Sequence, residues 1–245
     1  MQLSTDQLRE VVWTPEMIAR FWGHMGTQHE DYFTFQVGRS LIRHFRKHLK
    51  PSARILDYGA GPGFLIDDLL RHGYSCGAVE ISDDAVTQLN RRFASHPKFL
   101  GAHTVEEAAR GQFDAIFLIE VIEHLYDDAL AVCVANARQF LAPGGVLILT
   151  TPNDEDRGKS MIVSPETGRL FHRMQHVRSW TADTLSAKLR THDLLPVEIG
   201  VTDFGAAVTA LQRTHGLSFR LARSAAKRLL GWSRKPPHLY AVATA

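Results

Sequence analysis

The run Ile55-Leu56-Asp57-Tyr58-Gly59-Ala60-Gly61-Pro62-Gly63-Phe64 decides how this chain folds. A short apolar strand ends on an acid and enters three glycines at alternate positions. A helix follows, with Phe64, Leu65, Leu69 and Leu70 in apolar register. Glycine permits positive φ and close backbone approach, and a helix start presents N–H groups without partners. Strand, glycine turn and helix in that order suit a ligand with an anionic or carboxylate end. A dinucleotide loop would need G-x-G-x-x-G. Counted from Gly59 the last position falls on Phe64, and counted from Gly61 on Ile66, so the nicotinamide-dinucleotide reading is rejected.

Outward from this loop, short apolar runs alternate with longer helical stretches. Strands are expected at Ile55 to Asp57, Ser75 to Ile81, Phe99 to Ala102, Phe113 to Ile119 and Val146 to Thr151, with helices between them. Asp83 and Asp84 can cap a helix running to about Ala94, and Pro143-Gly144-Gly145 closes another. After Pro152-Asn153 the chain reads as irregular through Gly168. A helix near Ala182 to His192 comes next, then a strand near Leu195 to Phe204 and an edge strand at Leu239 to Thr244. Upstream, Thr14 to Trp22 and Gln36 to Lys50 read as helices. The expected fold class is α/β: a doubly wound, mostly parallel seven-stranded sheet, with residues 1–50 as an N-terminal helical cap, residues 51–245 as the main domain, and a helical insert before the last strand.

The 245 residues, 44% of them hydrophobic, suffice for one α/β core with extra segments. With 28 basic and 26 acidic residues, net charge advertises no nucleic-acid or membrane partner. Cys76 and Cys133, both in apolar surroundings, support neither a disulfide framework nor a cysteine zinc site, which fits a reducing cytoplasm. No basic-then-apolar leader and no run of 18 uncharged apolar residues is expected to direct export or span a membrane. Charge is one-sided only between Gly205 and Lys235, where seven Lys or Arg residues stand with no Asp or Glu. Leu217, Leu221, Ala225, Leu229 and Trp232 can share one stripe there, and Arg220, Arg223 and Lys227 another. That basic amphipathic pattern admits a solvated helix packed on the core, docking to an anionic membrane surface, or contact with a phosphorylated or polymeric acceptor. Nucleic acid ranks last, because only Phe219 and Trp232 are there to stack bases.

The D-x-G-x-G-x-G spacing from Asp57 to Gly63 resembles motif I of the class I S-adenosylmethionine-dependent methyltransferases, which have a Rossmann-like fold. The resemblance spans about residues 53–153, and more loosely the remainder. It implies that Asp57, Gly59, Ala60, Gly61 and Gly63 pack beside the methionine half of S-adenosylmethionine. Glu80, at the end of the next strand, matches the acid that accepts hydrogen bonds from the ribose hydroxyls, with Ile81 beside it. By the same analogy adenine lies near Thr104 to Glu106, so Thr104 and Val105 join the cofactor set.

The strand at Phe113 to Ile119 ends in Glu120-Val121-Ile122-Glu123-His124. If the chain turns helical there, Glu120, Glu123 and His124 stand at i, i+3 and i+4 on one face, converging at the carboxyl edge of the sheet. This E-x-x-E-H, with Thr151-Pro152-Asn153 and Gln175-His176 ahead of Trp180-Thr181, resembles two methyltransferase groups: the ubiquinone-biosynthesis O-methyltransferases and the small-RNA 3′-terminal 2′-O-methyltransferases. The resemblance implies that Glu120, Glu123, His124 and His176 hold a divalent cation (Mg²⁺, Mn²⁺, Fe²⁺ or Zn²⁺) beside the acceptor hydroxyl, with His172 or an unbound histidine as the group that takes the proton. Tyr32, Phe33 and residues 171–178 are expected to line the acceptor pocket.

The expected function is methyl transfer to a hydroxyl of a small-molecule, sugar or lipid-linked acceptor, in the cytoplasm or peripherally at the inner membrane surface. The alternatives are a metal-independent N-, C- or O-methyltransferase, an RNA 2′-O-methyltransferase, and a cofactor-binding regulatory or scaffold subunit. Oligomeric state is not legible in the sequence.

Overall fold

The computed structural model of the chain describes residues 9–205 and 235–245. The basic segment expected to form a helical insert lies, apart from its two ends, outside the described residues. In chain order the helices are α1 (Pro15–Met25), α2 (Phe33–Phe45), α3 (Phe64–Arg71), α4 (Asp83–Phe93), α5 (Asp127–Phe140) and α6 (Ala182–Arg190). The strands are β1 (Arg54–Tyr58), β2 (Ser75–Val79), β3 (Phe99–His103), β4 (Phe113–Ile119), β5 (Leu141–Pro152), β6 (Met161–Val163), β7 (Leu170–His172), β8 (Leu195–Thr202) and β9 (His238–Thr244).

Seven strands form one sheet in the order β3-β2-β1-β4-β5-β9-β8. The first five are parallel, and β9 runs antiparallel to both its neighbours. Parallel strands covered on both faces read as continuous apolar runs, as Phe113-Asp114-Ala115-Ile116-Phe117-Leu118-Ile119 does apart from its one acid. The strands split their side chains between two cores. Ile55, Ala115 and Phe117 face Val37, Leu41, Phe45, Leu65 and Leu89 from α2, α3 and α4. Leu56, Ile116 and Leu118 face Leu130, Val134, Phe140, Leu185 and Leu189 from α5 and α6. Side-chain caps fix three helix starts: Thr14 for α1, Ser82 for α4, and the Thr181–Thr184 capping box for α6.

Strand order reverses between β1, which continues to β2 on one side, and β4 on the other. A crevice at the carboxyl ends of β1 and β4 is where open α/β sheets bind ligands. The chain lengths after β1 and β4 deliver the glycine loop and the Glu120–His124 segment to that place.

Three expectations change. The upstream helix starts earlier, at Phe33, and ends at Phe45 with a 3-10 turn over Arg46–His48. The stretch read as irregular contains a hairpin, in which Met161 pairs with His172 and Val163 with Leu170. The backbone of Arg9 and Val11 extends it by hydrogen bonds with Leu170. Three-residue strands are too short for alternation to announce them. The third change concerns Glu120: its φ is +51°, so the chain leaves β4 through a left-handed residue rather than a helix. Only Ile122–His124 form a helical turn, of 3-10 type. Glu120, Glu123 and His124 are therefore not stacked on one helix face.

Candidate active site

The glycine loop is shaped by what stands against it. A side chain at Gly59 would place its Cβ 2.8 Å from Val121 Cγ2, and at Gly61 it would collide with the Tyr32 ring, whose Cζ lies 2.9 Å away. Both residues, and Gly63, have positive φ. The Gly61 N–H donates to Glu80 Oε1, and the Ile81 N–H donates to Glu80 Oε2 at 3.2 Å. The Glu80 carboxylate is thus aimed at the loop across the β1–β2 edge. Its own amide donates to the His103 carbonyl at 3.1 Å, so Thr104 and Val105 follow at the same edge. Ile81 is 87% exposed, an open apolar face beside that carboxylate.

Asp57 is buried at the loop's entry with Oδ2 lacking any hydrogen-bond partner. Burial, and then the charge of Glu80, push its carboxyl up to about 8. An unpartnered buried carboxylate suits a cationic ligand atom such as the ammonium of a methionine moiety. Residues 57–63, Glu80 and Ile81 stand together at this edge, with Thr104 and Val105 next in chain to His103. Tyr32 lies over the glycine loop, and Phe33 packs instead on His238 and Phe204.

Val121, which touches Gly59, joins this loop to the acidic segment. Two threonines of β5 hold the glutamates: Thr150 Oγ1 donates to Glu120 Oε1 at 2.7 Å and Thr151 Oγ1 to Glu123 Oε2 at 2.9 Å. Glu123 Oε1 is buried, has no hydrogen-bond partner, and lies 3.7 Å from His124 Nε2. The rings of His124 and His176 are 5.0 Å apart, and those of His172 and His176 stack at 4.3 Å. Gln175, fully buried at φ +59°, ties the parts together. Its side-chain amide donates to the His124 carbonyl at 3.0 Å and its Oε1 accepts the Trp22 indole N–H at 2.9 Å. Helix α1 thereby closes over the histidines, with Trp22 edge-on to His124.

The cluster is electrostatically unbalanced. Burial pushes Glu120 up to about 7 and Glu123 well above the carboxylate range, the latter reinforced by the Glu120 charge. Burial, then His176, press His124 down to about 3, which keeps its imidazole neutral. Among the described residues no lysine or arginine pairs with either glutamate. One donor atom each from Glu123, His124 and His176 lies within 4.8 Å of the others, and a second such triad is Glu155, His172 and His176. A neutral His124 imidazole, a buried Glu123 oxygen with no partner and the absence of any lysine or arginine paired with Glu120 or Glu123 among the described residues fit a divalent ion.

The sequence profile of the family described as "Methyltransferase domain" matches residues 30–199, more than half of the chain. The chain belongs to that family. It is a methyltransferase of the class I, S-adenosylmethionine-dependent kind. Curated relatives include the "Ubiquinone biosynthesis O-methyltransferase" of Xanthomonas campestris pv. campestris, 35% identical over 108 residues. That match spans 42% of this chain and 44% of the relative, less than half the relative's length. The protein of the same name from Dinoroseobacter shibae is 28% identical over 204 residues, covering 74% of this chain and 80% of that one. Among solved structures, the Burkholderia thailandensis 1,6-didemethyltoxoflavin-N1-methyltransferase, with bound 1,6-didemethyltoxoflavin and S-adenosylhomocysteine, matches with a TM-score of 0.62 at 17% identity, over 97% of this chain and 94% of that chain. Phosphoethanolamine N-methyltransferase 2 of Haemonchus contortus matches with a TM-score of 0.58 at 16% identity, over 96% of this chain and 60% of that chain. These two likenesses bear on the fold.

Within the methyltransferase, the sequence-derived residues Glu120, Glu123, His124, His172 and His176 come together. Glu155 is the member that sequence reasoning missed. It lies two residues beyond the Thr151-Pro152-Asn153 motif, in a stretch with several acids, and nothing in its spacing sets it apart. Its carboxylate Oε2 meets His176 Nδ1 at 2.5 Å, and Oε1 stands 3.3 Å from His172 Nε2. Arg173 and Arg178 do not join the cluster: the Arg178 guanidinium pairs with Asp127 and lies over Trp180.

Proposed function

We propose that the chain moves the methyl group of S-adenosylmethionine onto a hydroxyl oxygen of a small-molecule, sugar or lipid-linked acceptor, with a divalent cation held at Glu123, His124 and His176. The observation that carries this reading is the buried Glu123 oxygen without a partner, with the half-buried Glu120 carboxyl near it and no basic side chain paired to either among the described residues, beside the glycine loop. The names of the curated relatives favour oxygen as the acceptor atom. When bound, a divalent cation supplies Lewis acidity that lowers the pKa of a coordinated hydroxyl.

The chain's own residues do the rest. Asp57 and Glu80 offer carboxylates to the two polar ends of the cofactor, while Gly59 and Gly61 leave room for it. Ile81, Thr104 and Val105 would border its adenine. Glu120, with Oε1 engaged by Thr150, keeps Oε2 for the ion or for the acceptor's proton, a role suited to a carboxyl near 7. Trp22 and α1 shield the histidines from bulk water. Orientation of the two reactants in one crevice contributes the remainder.

A metal-independent transferase is favoured by one feature, the threonine hydroxyls that satisfy an oxygen of each glutamate without any cation. Labelled-methyl transfer to a panel of phenols and sugar alcohols, run on chelator-treated protein with and without added Mg²⁺, Mn²⁺ or Zn²⁺, separates the readings. Turnover lost on chelation and restored by one of the ions is expected. Turnover unchanged after thorough metal removal would falsify the cation-assisted reaction.

A further inference from the structure

Two triads share His176, and their hydrogen bonds show that they are not equivalent. His172 Nδ1 accepts two backbone N–H groups, those of Met174 and His176, each at 3.2 Å. A nitrogen that accepts carries no proton, so the His172 ring proton sits on Nε2, facing Glu155 Oε1 at 3.3 Å. That N–H is not aligned well enough to count as a hydrogen bond. His176 is the opposite case. Its Nδ1 meets Glu155 Oε2 at 2.5 Å, and because a carboxylate only accepts, Nδ1 carries a proton and Nε2 is the ring nitrogen left without a hydrogen-bond partner. The Glu155–His172–His176 triad is therefore spent on internal contacts, leaving Glu123, His124 and His176 as the set with a free donor on each member.

We propose that Glu155 is a positioning residue that fixes the His176 ring in the tautomer opposite to the one two backbone amides set on the stacked His172 ring, and so turns Nε2 of His176 toward Glu123 and His124. The inference about Glu155 and the tautomers stands on hydrogen-bond geometry; its last step, toward the cation, rests on the proposed function. The presentation of Glu155 is rigid. The Asn153 N–H donates to the Pro237 carbonyl at 2.8 Å, and that of Asp154, a left-handed residue at φ +46°, donates to the Trp180 carbonyl at 2.7 Å. On the other side, Gln175 at positive φ brings His176 back beneath His172, and the His176 carbonyl accepts from Arg157 Nε at 3.0 Å. A carboxylate on the far nitrogen of a ligating histidine fixes its tautomer and raises its basicity, and loss of such a partner costs about 10–100-fold in metal affinity.

The test has two arms. Imidazole nitrogen NMR of chelator-treated wild-type protein, at a pH above the ordinary histidine range and assigned with His172→Gln and His176→Gln, reads the tautomers directly. The expected result is a proton on Nε2 of His172 and on Nδ1 of His176, with the His176 preference lost in Glu155→Ala and kept in Glu155→Asp. The same tautomer on both rings in the wild type overturns the proposal. In the second arm Co²⁺ is titrated into wild type, Glu155→Ala and His176→Ala, with S-adenosylhomocysteine affinity and thermal melting checking that each variant is folded. Glu155→Ala should weaken Co²⁺ binding about 10–100-fold and leave S-adenosylhomocysteine affinity unchanged. Undiminished Co²⁺ binding in Glu155→Ala overturns the positioning role, and loss as complete as in His176→Ala makes Glu155 a ligand instead. Wild-type protein that shows the expected tautomers but takes up no Co²⁺ sinks the cation reading while leaving the tautomer assignment to Glu155.

Discussion

At the scale of single residues, the site depends on atoms that are absent as much as on those present. Gly61 must lack a side chain twice over, because its φ is +54° and because the Tyr32 ring occupies the space a Cβ would need. Gly61→Ala should therefore weaken S-adenosylhomocysteine binding at least tenfold: left-handed strain costs roughly 1–3 kcal/mol, and Tyr32 must also swing away. Adding Tyr32→Ala should restore the steric part and leave the backbone part, as read by calorimetric titration of the single and double variants. Full recovery in the double variant would mean that φ at Gly61 carries no cost. Glu120 shows a related economy. Its positive φ turns the chain so sharply that Glu123 and His124 reach the crevice within four residues, and left-handed non-glycine residues of this kind cluster at functional sites.

At the scale of elements, β8 is held to the sheet by more than its pairing with β9. Glu198 Oε2 accepts from Lys47 Nζ at 2.7 Å and meets His48 Nε2 at 2.9 Å, both just beyond α2, while Tyr240 on β9 donates to Oε1 at 2.9 Å. The Lys47 hydrogen bond, with those of Tyr240 and His48, outweighs burial and lowers this carboxyl from 4.5 to about 2. A carboxyl depressed in the folded state adds stability above its ordinary pKa, and that stability fades as pH falls toward the folded value. Glu198→Gln should thus cost on the order of 1 kcal/mol near neutral pH, with the deficit shrinking between pH 4.5 and about 2 in denaturant melts. A deficit constant across that range would contradict the assignment.

The long elements were legible in the sequence because they obey simple periods. The glycine loop, helices α3, α4 and α6 and the cores of the five parallel strands fall where apolar runs, caps and glycines put them, whereas α5 ends at Phe140 and β5 already includes the Pro143-Gly144-Gly145 expected to precede it. What stayed hidden depends on chain folding rather than on pattern. The β6–β7 hairpin has three residues a side, and the left-handed turn at Glu120 has no glycine to mark it. Glu155 acquires its place only once the 172–176 turn is folded against it. The acidic and histidine residues were recognisable as a set from E-x-x-E-H and Gln175-His176, whereas their geometry, and the engagement of His172 Nδ1 by two backbone amides, were not.

For the whole molecule, the residues proposed for the reaction stand at one edge of the sheet, where a crevice is expected. The reversal of strand order between β1 and β4 opens it, the glycine loop and Glu80 form one wall, and β5 supplies Thr150 and Thr151 to the other. Helix α2 shares the main core with β1 and β4, so Val37, Leu41, Ile42 and Phe45 belong to the same folding unit as the sheet even though they precede residue 51. Among the described α-helices α1 alone buries no residue fully, and its hold on the site runs through Trp22. Among the described residues no helix is long and apolar enough to cross a membrane. The measurement that tests the central claim most directly is anomalous diffraction from crystals of the S-adenosylhomocysteine complex soaked in Mn²⁺. A single strong peak bounded by Glu123, His124 and His176 is predicted, lost in Glu123→Ala. No peak in that crevice, or one lodged between Glu155 and His172, would contradict it.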